Sequence, residues 1–443
     1  MNDKREKMHY HSKKIEYPYP ISSLIGLNPI GIWENQGLYM VLESAYTISL
    51  SNNSLIVQSK NGKTSKYEFN KSLGKALSVI LKDLGFTNAS EMKMLGFLSY
   101  DYAKNLENIK GFRSDSEYPE FFLIIPETYL LQKKGRDEIE IFDLNGDFPE
   151  LANQSPIKKP VGKPASDSNN WSSDLNHFCN LTKQAQEYIS AGDIFQIVLS
   201  NQLILHDRHD PYNLYQDLLT RNPSSYHFLL KFGANYLVGA SPETMLKYEP
   251  SSKKMLMRLI AGTYPKLQSQ YSKDPTQLLK DEKELAEHMM LVDHCRNDLG
   301  RVAEIGSVQV TDLLKVEPLH DVYHLVSQVE ARLKKELNCF DALESCFPIA
   351  TLTGTPKIRA MEIISELENR PRGLFGGAIG LFGLDGSADL AVIIRSAIVK
   401  PEKCEINAGA GIVADSIPER EFEECLWKAE ALRDILCNDT TDR

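Results

Sequence analysis

Two acidic pairs stand out among the residues able to do chemistry. Glu284 and Glu287 lie three apart in DEKELAEHMMLVDHCRNDLGR (281–301), and Glu421 and Glu424 repeat the spacing in SIPEREFEECLWKAEAL, with Lys428 following one turn later. Positions three apart share one side of a helix, so each pair can converge on one site. Like charges so placed repel by about 0.2–0.5 kcal/mol unless a cation sits between them. Two helices each offering such a pair is a common way to hold a hard, oxygen-loving divalent ion. Charged helix faces also carry Glu-x-x-Glu by chance, so the pairs alone do not separate a cation site from a solvated face.

Four further side chains have a chemical reading beside an ordinary one. Glu243, after Ser-Pro in GASPETML, is either a plain loop glutamate or a carboxyl whose raised pKa lets it donate a proton. Arg395 sits within the β-branched run ADLAVIIRSAIV, where a guanidinium is costly to bury unless it meets a carboxylate. His324, in VYHLVSQVE, is flanked by apolar residues, a setting in which a histidine is more often a satisfied core residue. Gln196 opens the otherwise apolar QIVL and reads equally as a capped strand start.

The elements that must position these groups can be read from periodicity. LYMVLESAYTISL, SLIVQSK and TSKYEF are strands joined by polar turns, and 71–85 has helical spacing that stops at a glycine. MLGFLSYDYAKNLE, YPEFFLIIPETYLLQ and EIEIFDL read as further strand. From Gln154 to Asp174 the composition shifts to Pro, Lys, Ser and Asn, the best internal boundary. It divides a strand-rich N-terminal region (1–153, expected to be regulatory and partner-facing) from a linker (154–174), a core (175–435) and a tail (436–443). Beyond the linker come a helix (175–190), strands 194–206 and 227–239, the acidic helix, a helix near 357–368, strand-like runs 376–383, 388–399 and 404–413, and a final helix. RLIAGTYPK (258–266) and FPIATLTGTPKIRAMEII (347–364) read as Gly/Thr turns. In the second, Thr353, Gly354 and Thr355 lead into a helix whose N-terminus can face an anion, with Pro356 near its first turn. The glycine-dense GGAIGLFGLDG and NAGAGIVADS either let backbone approach a ligand or make tight turns. Strands and helices mixed without regular alternation predict an α+β fold, with large antiparallel β-sheets sandwiched with outer helices.

Composition narrows the function class. A length of 443 residues, 42% hydrophobic and 25% charged, suits a globular protein with a large core. The net charge of −10, with no basic block, argues against nucleic-acid binding. An anionic substrate would therefore need positive charge supplied locally. The seven scattered cysteines without Cys-x-x-Cys suit a reducing compartment. The polar N-terminus is no signal peptide, and no apolar run approaches the ~20 residues of a membrane span, so a cytoplasmic protein is expected.

Taken in order, GDIFQIVLS, GASPE, IAGT, DEKELAEHMMLVDHCRNDLGRV, YHLVSQVE, TGTPKIRAMEII, GGAIG, AGAGIVADS and the terminal acidic helix resemble the chorismate-utilising enzymes, and within them the anthranilate synthase component I branch. The likeness is dense over about 175–435 and looser over 20–130. It implies Mg2+ held on the ring carboxylate of chorismate by Glu287 and Glu424, with Glu284 and Glu421 acting directly or through water. It also implies Glu243 as general acid for the departing 4-hydroxyl and His324 beside the ring carbon that loses its proton. Thr351 matches a ring contact, and Thr263 belongs to the matching IAGT segment. Arg395 and the backbone of Ala408, Gly409, Ala410 and Gly411 match the groups that take the pyruvyl carboxylate, supported by Lys428.

Within that resemblance two positions divide the reactions. Isochorismate and salicylate synthases carry a lysine where this chain has Gln196, because water must be deprotonated to attack and ammonia need not be. Aminodeoxychorismate synthases usually carry a lysine at Ala261, whose covalent ring adduct redirects the nitrogen. Gln196 and Ala261 together imply ortho amination and release of pyruvate. Leu42, Glu43 and Ser44, with Asn222, Pro223, Ser224, Ser225 and Tyr226, resemble the family's tryptophan-inhibition elements, and both are also readable as inherited packing motifs. Departures from the family pattern are Phe375 for a tyrosine, Tyr264 for an arginine, Leu259 for a proline and Ser225 for a proline. No cysteine lies in a Gly-x-Cys-x-Gly nucleophile turn, so the resemblance implies a separate glutamine amidotransferase subunit delivering ammonia. The alternatives are aminodeoxychorismate synthase component I and, outside enzymes, a silent tryptophan-binding regulatory subunit.

Overall fold

The computed structural model describes residues 8–17, 21–86, 92–114, 117–151, 170–265, 279, 282–319 and 322–437. Most of the expected linker (154–174) and tail (436–443) lies outside the described residues. The N-terminal elements are β1 (His11–Glu16), β2 (Gly31–Glu34), β3 (Gly37–Ser51), β4 (Ser54–Ser59), β5 (Thr64–Glu68), α1 (Leu73–Asp83), β6 (Lys93–Leu98), β7 (Phe121–Lys133) and β8 (Glu138–Asp143). β3 and β4 form a hairpin across Asn52 and Asn53, both at positive φ, as the tight turn between right-twisted strands requires. α1 buries Leu73, Leu77 and Ile80 and ends at Gly85, whose N–H returns to the Lys82 carbonyl at 3.1 Å. The strand expected through MLGFLSYDYAKNLE stops at Leu98, and Tyr100–Asn105 is instead a 3-10 turn.

Next come β9 (Asn170–Trp171), α2 (Leu175–Ser190), β10 (Gln196–Leu205), α3 (Pro211–Arg221), β11 (Tyr226–Phe232), β12 (Asn235–Ser241), β13 (Thr244–Glu249) and β14 (Lys254–Pro265). After them lie α4 (Glu282–Gly300), β15 (Gln309–Leu319), β16 (Val322–Arg332), α5 (Cys339–Cys346), β17 (Gly354–Thr355) and α6 (Lys357–Glu368). The chain closes with β18 (Ala378–Gly383), β19 (Ala388–Val392), β20 (Ser396–Val399), β21 (Cys404–Ile412) and α7 (Pro418–Cys437). Three expectations change. The run 227–239 is a hairpin that turns at Gly233. RLIAGTYP (258–265) is part of β14 with a register irregularity between Ile260 and Thr263, not a turn, and Lys266 lies outside the described residues. The run 388–399 breaks between Val392 and Ser396.

The described ladders are antiparallel and cross the expected boundary: β2 pairs with β11, and β6 with β18. Phe97 of β6 and Phe232 of β11 meet edge to face at 5.3 Å although their strands are not laddered, so two sheet faces oppose each other there. Trp33, Phe122 and Phe228 fill the same layer. Along β3, Tyr39 and Val41 join this aromatic core while Leu38 and Met40 enter a second cluster with α3 and α7. α4 and α5 cover the largest cluster, and α2, α6 and α7 pack over β10 and β21. Among the described residues no helix is long and apolar enough to cross a membrane.

Candidate active site

Glu243 lies in the short link from β12 to β13 and is only 4% exposed. The Thr351 hydroxyl donates to its Oε1 at 2.7 Å. Burial pushes the carboxyl up to about 7, against the opposing pull of the Thr351 hydrogen bond and of Lys428. An ordinary loop glutamate would be solvated and acidic; this one is about half protonated at neutral pH.

Lys428 reaches the site from α7. Its Nζ donates to the Gly409 carbonyl at 2.8 Å and pairs with Glu424 at 2.5 Å. Arg395 sits in the break between β19 and β20 at φ +50°, a left-handed conformation uncommon for a side chain of its size. The kink is held by Ile393 N–H on the Gly377 carbonyl at 2.8 Å and by Ala240 N–H on the Arg395 carbonyl at 3.0 Å. Arg395 Nη1 donates to the Lys428 carbonyl at 2.8 Å. Burial lowers its pKa to about 10, with Glu424 opposing the shift, so the guanidinium stays charged at neutral pH.

The β10–β21 ladder sorts the glycine-dense segment by face. Ala408 and Ala410 enter core clusters, so only their backbone is available to a ligand. Gly409 and Gly411 point the other way. A Cβ on Gly409 would stand 3.4 Å from Phe375 Cζ, and one on Gly411 would stand 3.0 Å from Gln196 Nε2. The absent side chains thus let Phe375 and Gln196 lie on the β21 backbone.

His324 is buried in β16, opposite Thr263 of β14 and Glu317 of β15. Ala261 and Thr263 belong to β14, and their side chains lie outside the described residues. α4 packs on β14, β16 and the 350–352 turn that carries Thr351, while α7 packs on β21. Glu287 on α4 and Glu421 and Glu424 on α7 are half-buried. The Glu284 side chain lies outside the described residues. These donors are all carboxylate oxygens, which fits a hard divalent cation. Among the described residues no three His, Cys, Asp or Glu side chains form a cation cluster.

The two segments expected to bind an inhibitor leave opposite ends of the four-residue β2. Gly31 of β2 opposes Val41 and Leu230, whereas Glu34 opposes Leu38 and His227. Leu42–Ser44 therefore continue from one end of β2 and Asn222–Tyr226 from the other. Glu43 instead pairs with Lys60, and Tyr226 hydrogen-bonds Thr244 Oγ1 at 2.8 Å.

Sequence reasoning missed a buried ionic hub beneath the site. Arg372 meets Glu368 through Nη2–Oε1 at 2.5 Å and Nε–Oε2 at 3.1 Å. It also donates to the carbonyls of Leu352 and Val198, both at 2.6 Å. Glu368 accepts from the Ser200 N–H at 2.7 Å, and Arg370 donates to Ser200 Oγ at 2.7 Å. Leu352 follows Thr351 and Val198 lies two residues past Gln196, so the hub anchors both. The four-residue spacing of Glu368 and Arg372 at the end of an apolar helix was the available signal.

A chorismate binding enzyme family profile matches residues 34–434. Anthranilate synthase component 1 of Acetivibrio thermocellus is 35% identical over 93% of this chain and 86% of its own length. The Thermus thermophilus protein of the same name is 39% identical over 76% of each chain. The crystal structure of anthranilate synthase component I from Streptococcus pneumoniae superposes with a TM-score of 0.75 at 30% identity, covering 91% of this chain and 92% of that one. A menaquinone-specific isochorismate synthase from Escherichia coli shares the fold, with a TM-score of 0.73 at 19% identity.

Proposed function

Because the chain belongs to the chorismate-binding enzyme family, we propose that its site converts chorismate and ammonia to anthranilate, pyruvate and water. The observation that carries this is the buried Glu243, about half protonated at neutral pH and held by Thr351. In this reading Glu243 gives its proton to the departing 4-hydroxyl. Arg395 and Lys428, local cations in a chain of net charge −10, take the pyruvyl carboxylate with the Gly409–Gly411 backbone. Arg395 has five N–H donors and uses one on the Lys428 carbonyl, which orients the rest. His324 lies beside the carbon that loses a proton, and Thr351 also contacts the ring. Phe375 supplies packing but no hydroxyl where a tyrosine would add a hydrogen bond. Gln196 and Ala261 leave no basic amine to activate water or form a ring adduct, which favours ortho amination.

Glu284, Glu287, Glu421 and Glu424 would hold Mg2+, which when bound neutralises charge on the ring carboxylate. Glu424 must then exchange part of its interaction with Lys428. Ammonia would come from glutamine through a separate amidotransferase subunit. Feedback inhibition by tryptophan rests on the likeness of Leu42–Ser44 and Asn222–Tyr226 to inhibitor segments. Tryptophan titrated into the assay should lower turnover, and an unchanged rate removes that part of the reading.

The test is turnover of chorismate by the isolated chain with Mg2+ and an ammonium salt at elevated pH. Expected products are fluorescent anthranilate and an equal amount of pyruvate, with no activity on glutamine. A para-aminated product would move the chain to the aminodeoxychorismate branch, and no turnover would defeat the enzymatic reading.

A further inference from the structure

Residues 347–356 link α5 to α6 and carry Thr351, whose hydroxyl donates to Glu243 at 2.7 Å. The two ends of that link meet. Lys357, the first residue of α6, directs Nζ to the carbonyl of Cys346, the last residue of α5, at 3.3 Å. The same Nζ pairs with Asp298 Oδ2 of α4 at 2.8 Å. α5 is tied to the same residue of α4, because the Ser345 hydroxyl donates to the Asp298 carbonyl at 2.6 Å. The charged side chains of Lys357 and Asp298 are only 14% and 7% exposed.

Asp298 stands on the buried stripe of α4, three residues after Cys295 and seven after Leu291. An apolar residue would suit that stripe better, since burial raises the Asp298 carboxyl even with Lys357 beside it. Exchanging a buried ion pair for apolar side chains of similar volume is often neutral or stabilising, so stability is a poor reason for this one. What the pair supplies and an apolar contact lacks is a fixed direction and length. Cys295, on the same stripe, faces Glu243. α4 is therefore both a wall of the Glu243 site and the anchor of the link. Arg372 holds the middle of the link at the Leu352 carbonyl, and the Lys357–Asp298 pair closes its ends.

We propose that Lys357 and Asp298 are a positioning pair, which fastens the link bearing Thr351 to α4 and so keeps the Thr351 hydroxyl on Glu243. The inference rests on the reading of Glu243 as the acid in chorismate amination and adds two residues that act through Thr351. Without the pair the α6 end of the link loses this tie to α4, and Thr351 can draw back from the carboxyl while the fold persists.

Anthranilate formation by the full chain, with Mg2+, an ammonium salt and saturating chorismate, tests the assignment alongside urea unfolding. Lys357→Met combined with Asp298→Leu replaces the pair by apolar side chains of similar shape. This double variant should keep a urea midpoint at or above the wild-type value, yet lose about 10–100-fold in kcat, the cost of misplacing a catalytic contact by about 1 Å. In a Thr351→Val background the same double change should lower kcat no further, because the contact it positions is already gone. Losses that multiply would mean that the pair acts elsewhere, and an unmoved kcat would mean that it only holds the fold. Either result overturns the proposal. Asp298→Asn, isosteric and neutral, gives a second reading should the double variant not fold. A kcat loss of about fivefold that disappears in Thr351→Val supports the pair, and an unmoved or multiplying one overturns it. Wild-type chain that makes no anthranilate would defeat the amination reading and this proposal with it, whereas wild-type turnover with unmoved variants defeats the pair alone.

Discussion

Glu243 owes its raised pKa to burial, which the Thr351 hydroxyl and Lys428 oppose. Removing the carboxyl as Glu243→Gln should lower kcat by roughly 10²–10⁴, the usual worth of a positioned acid. Thr351→Val deletes a donor that favours the charged form, so the Glu243 pKa should rise further above about 7 and the alkaline limb of the rate profile should move to higher pH. A limb that stays put or moves down would remove Glu243 as the acid. The same shift has a stability sign. The folded pKa stands above the unfolded value, so the stabilisation is complete below about 4.5 and is lost as pH rises through about 7. Urea midpoints should fall over that window in the wild type and fall less in Glu243→Gln. Ser-Pro-Glu among apolar residues left Glu243 either a loop glutamate or a desolvated carboxyl, and only the family resemblance singled it out. Its partner Thr351 was named for a different contact, since no local pattern tells which residue 108 positions away will meet a side chain.

Arg372 and Glu368 act at the scale of elements, tying the end of α6 to β10 and to the turn before β17. Burial alone would raise the Glu368 carboxyl, but Arg372 and Arg370 hold it below the usual range. Arg372→Met strands a buried carboxylate and should cost about 3–5 kcal/mol in denaturant unfolding. The double variant Arg372→Met with Glu368→Leu should cost less than the sum of the single changes. Additive losses would mean that the two side chains are not one unit. Elements were readable where period and punctuation agreed, as in α1 with its apolar stripe and terminal Gly85. They were misread where a β-branched run hid a kink. ADLAVIIRSAIV has strand composition throughout, yet hydrogen bonds from distant residues bend it at Arg395. RLIAGTYP has turn composition, yet pairing with β16 makes it strand.

The whole molecule joins the two regions on either side of residues 154–174 into shared ladders. A fragment of residues 175–437 would lack β2 beside β11 and β6 beside β18, and would bare the aromatic layer around Phe228 and Phe232. Exposed strand edges and a large apolar patch favour aggregation. That fragment should therefore yield little soluble protein, and co-expression with residues 1–151 should rescue it, as read by size-exclusion chromatography. A monomeric fragment with a cooperative melt would show instead that the region after the boundary folds alone.

By itself the sequence determined the family, the α+β class and the residue types of the site, because ordered motifs and hydrophobic periods are properties of the chain read along its length. Only the tertiary structure decided which groups meet. Strand register put Gln196 opposite Thr355 and set Leu42–Ser44 and Asn222–Tyr226 at opposite ends of β2. Burial, a property of the packed whole, pushed the Glu243 carboxyl up to about 7. Contact and desolvation depend on distances between residues far apart in the chain, which local composition does not encode.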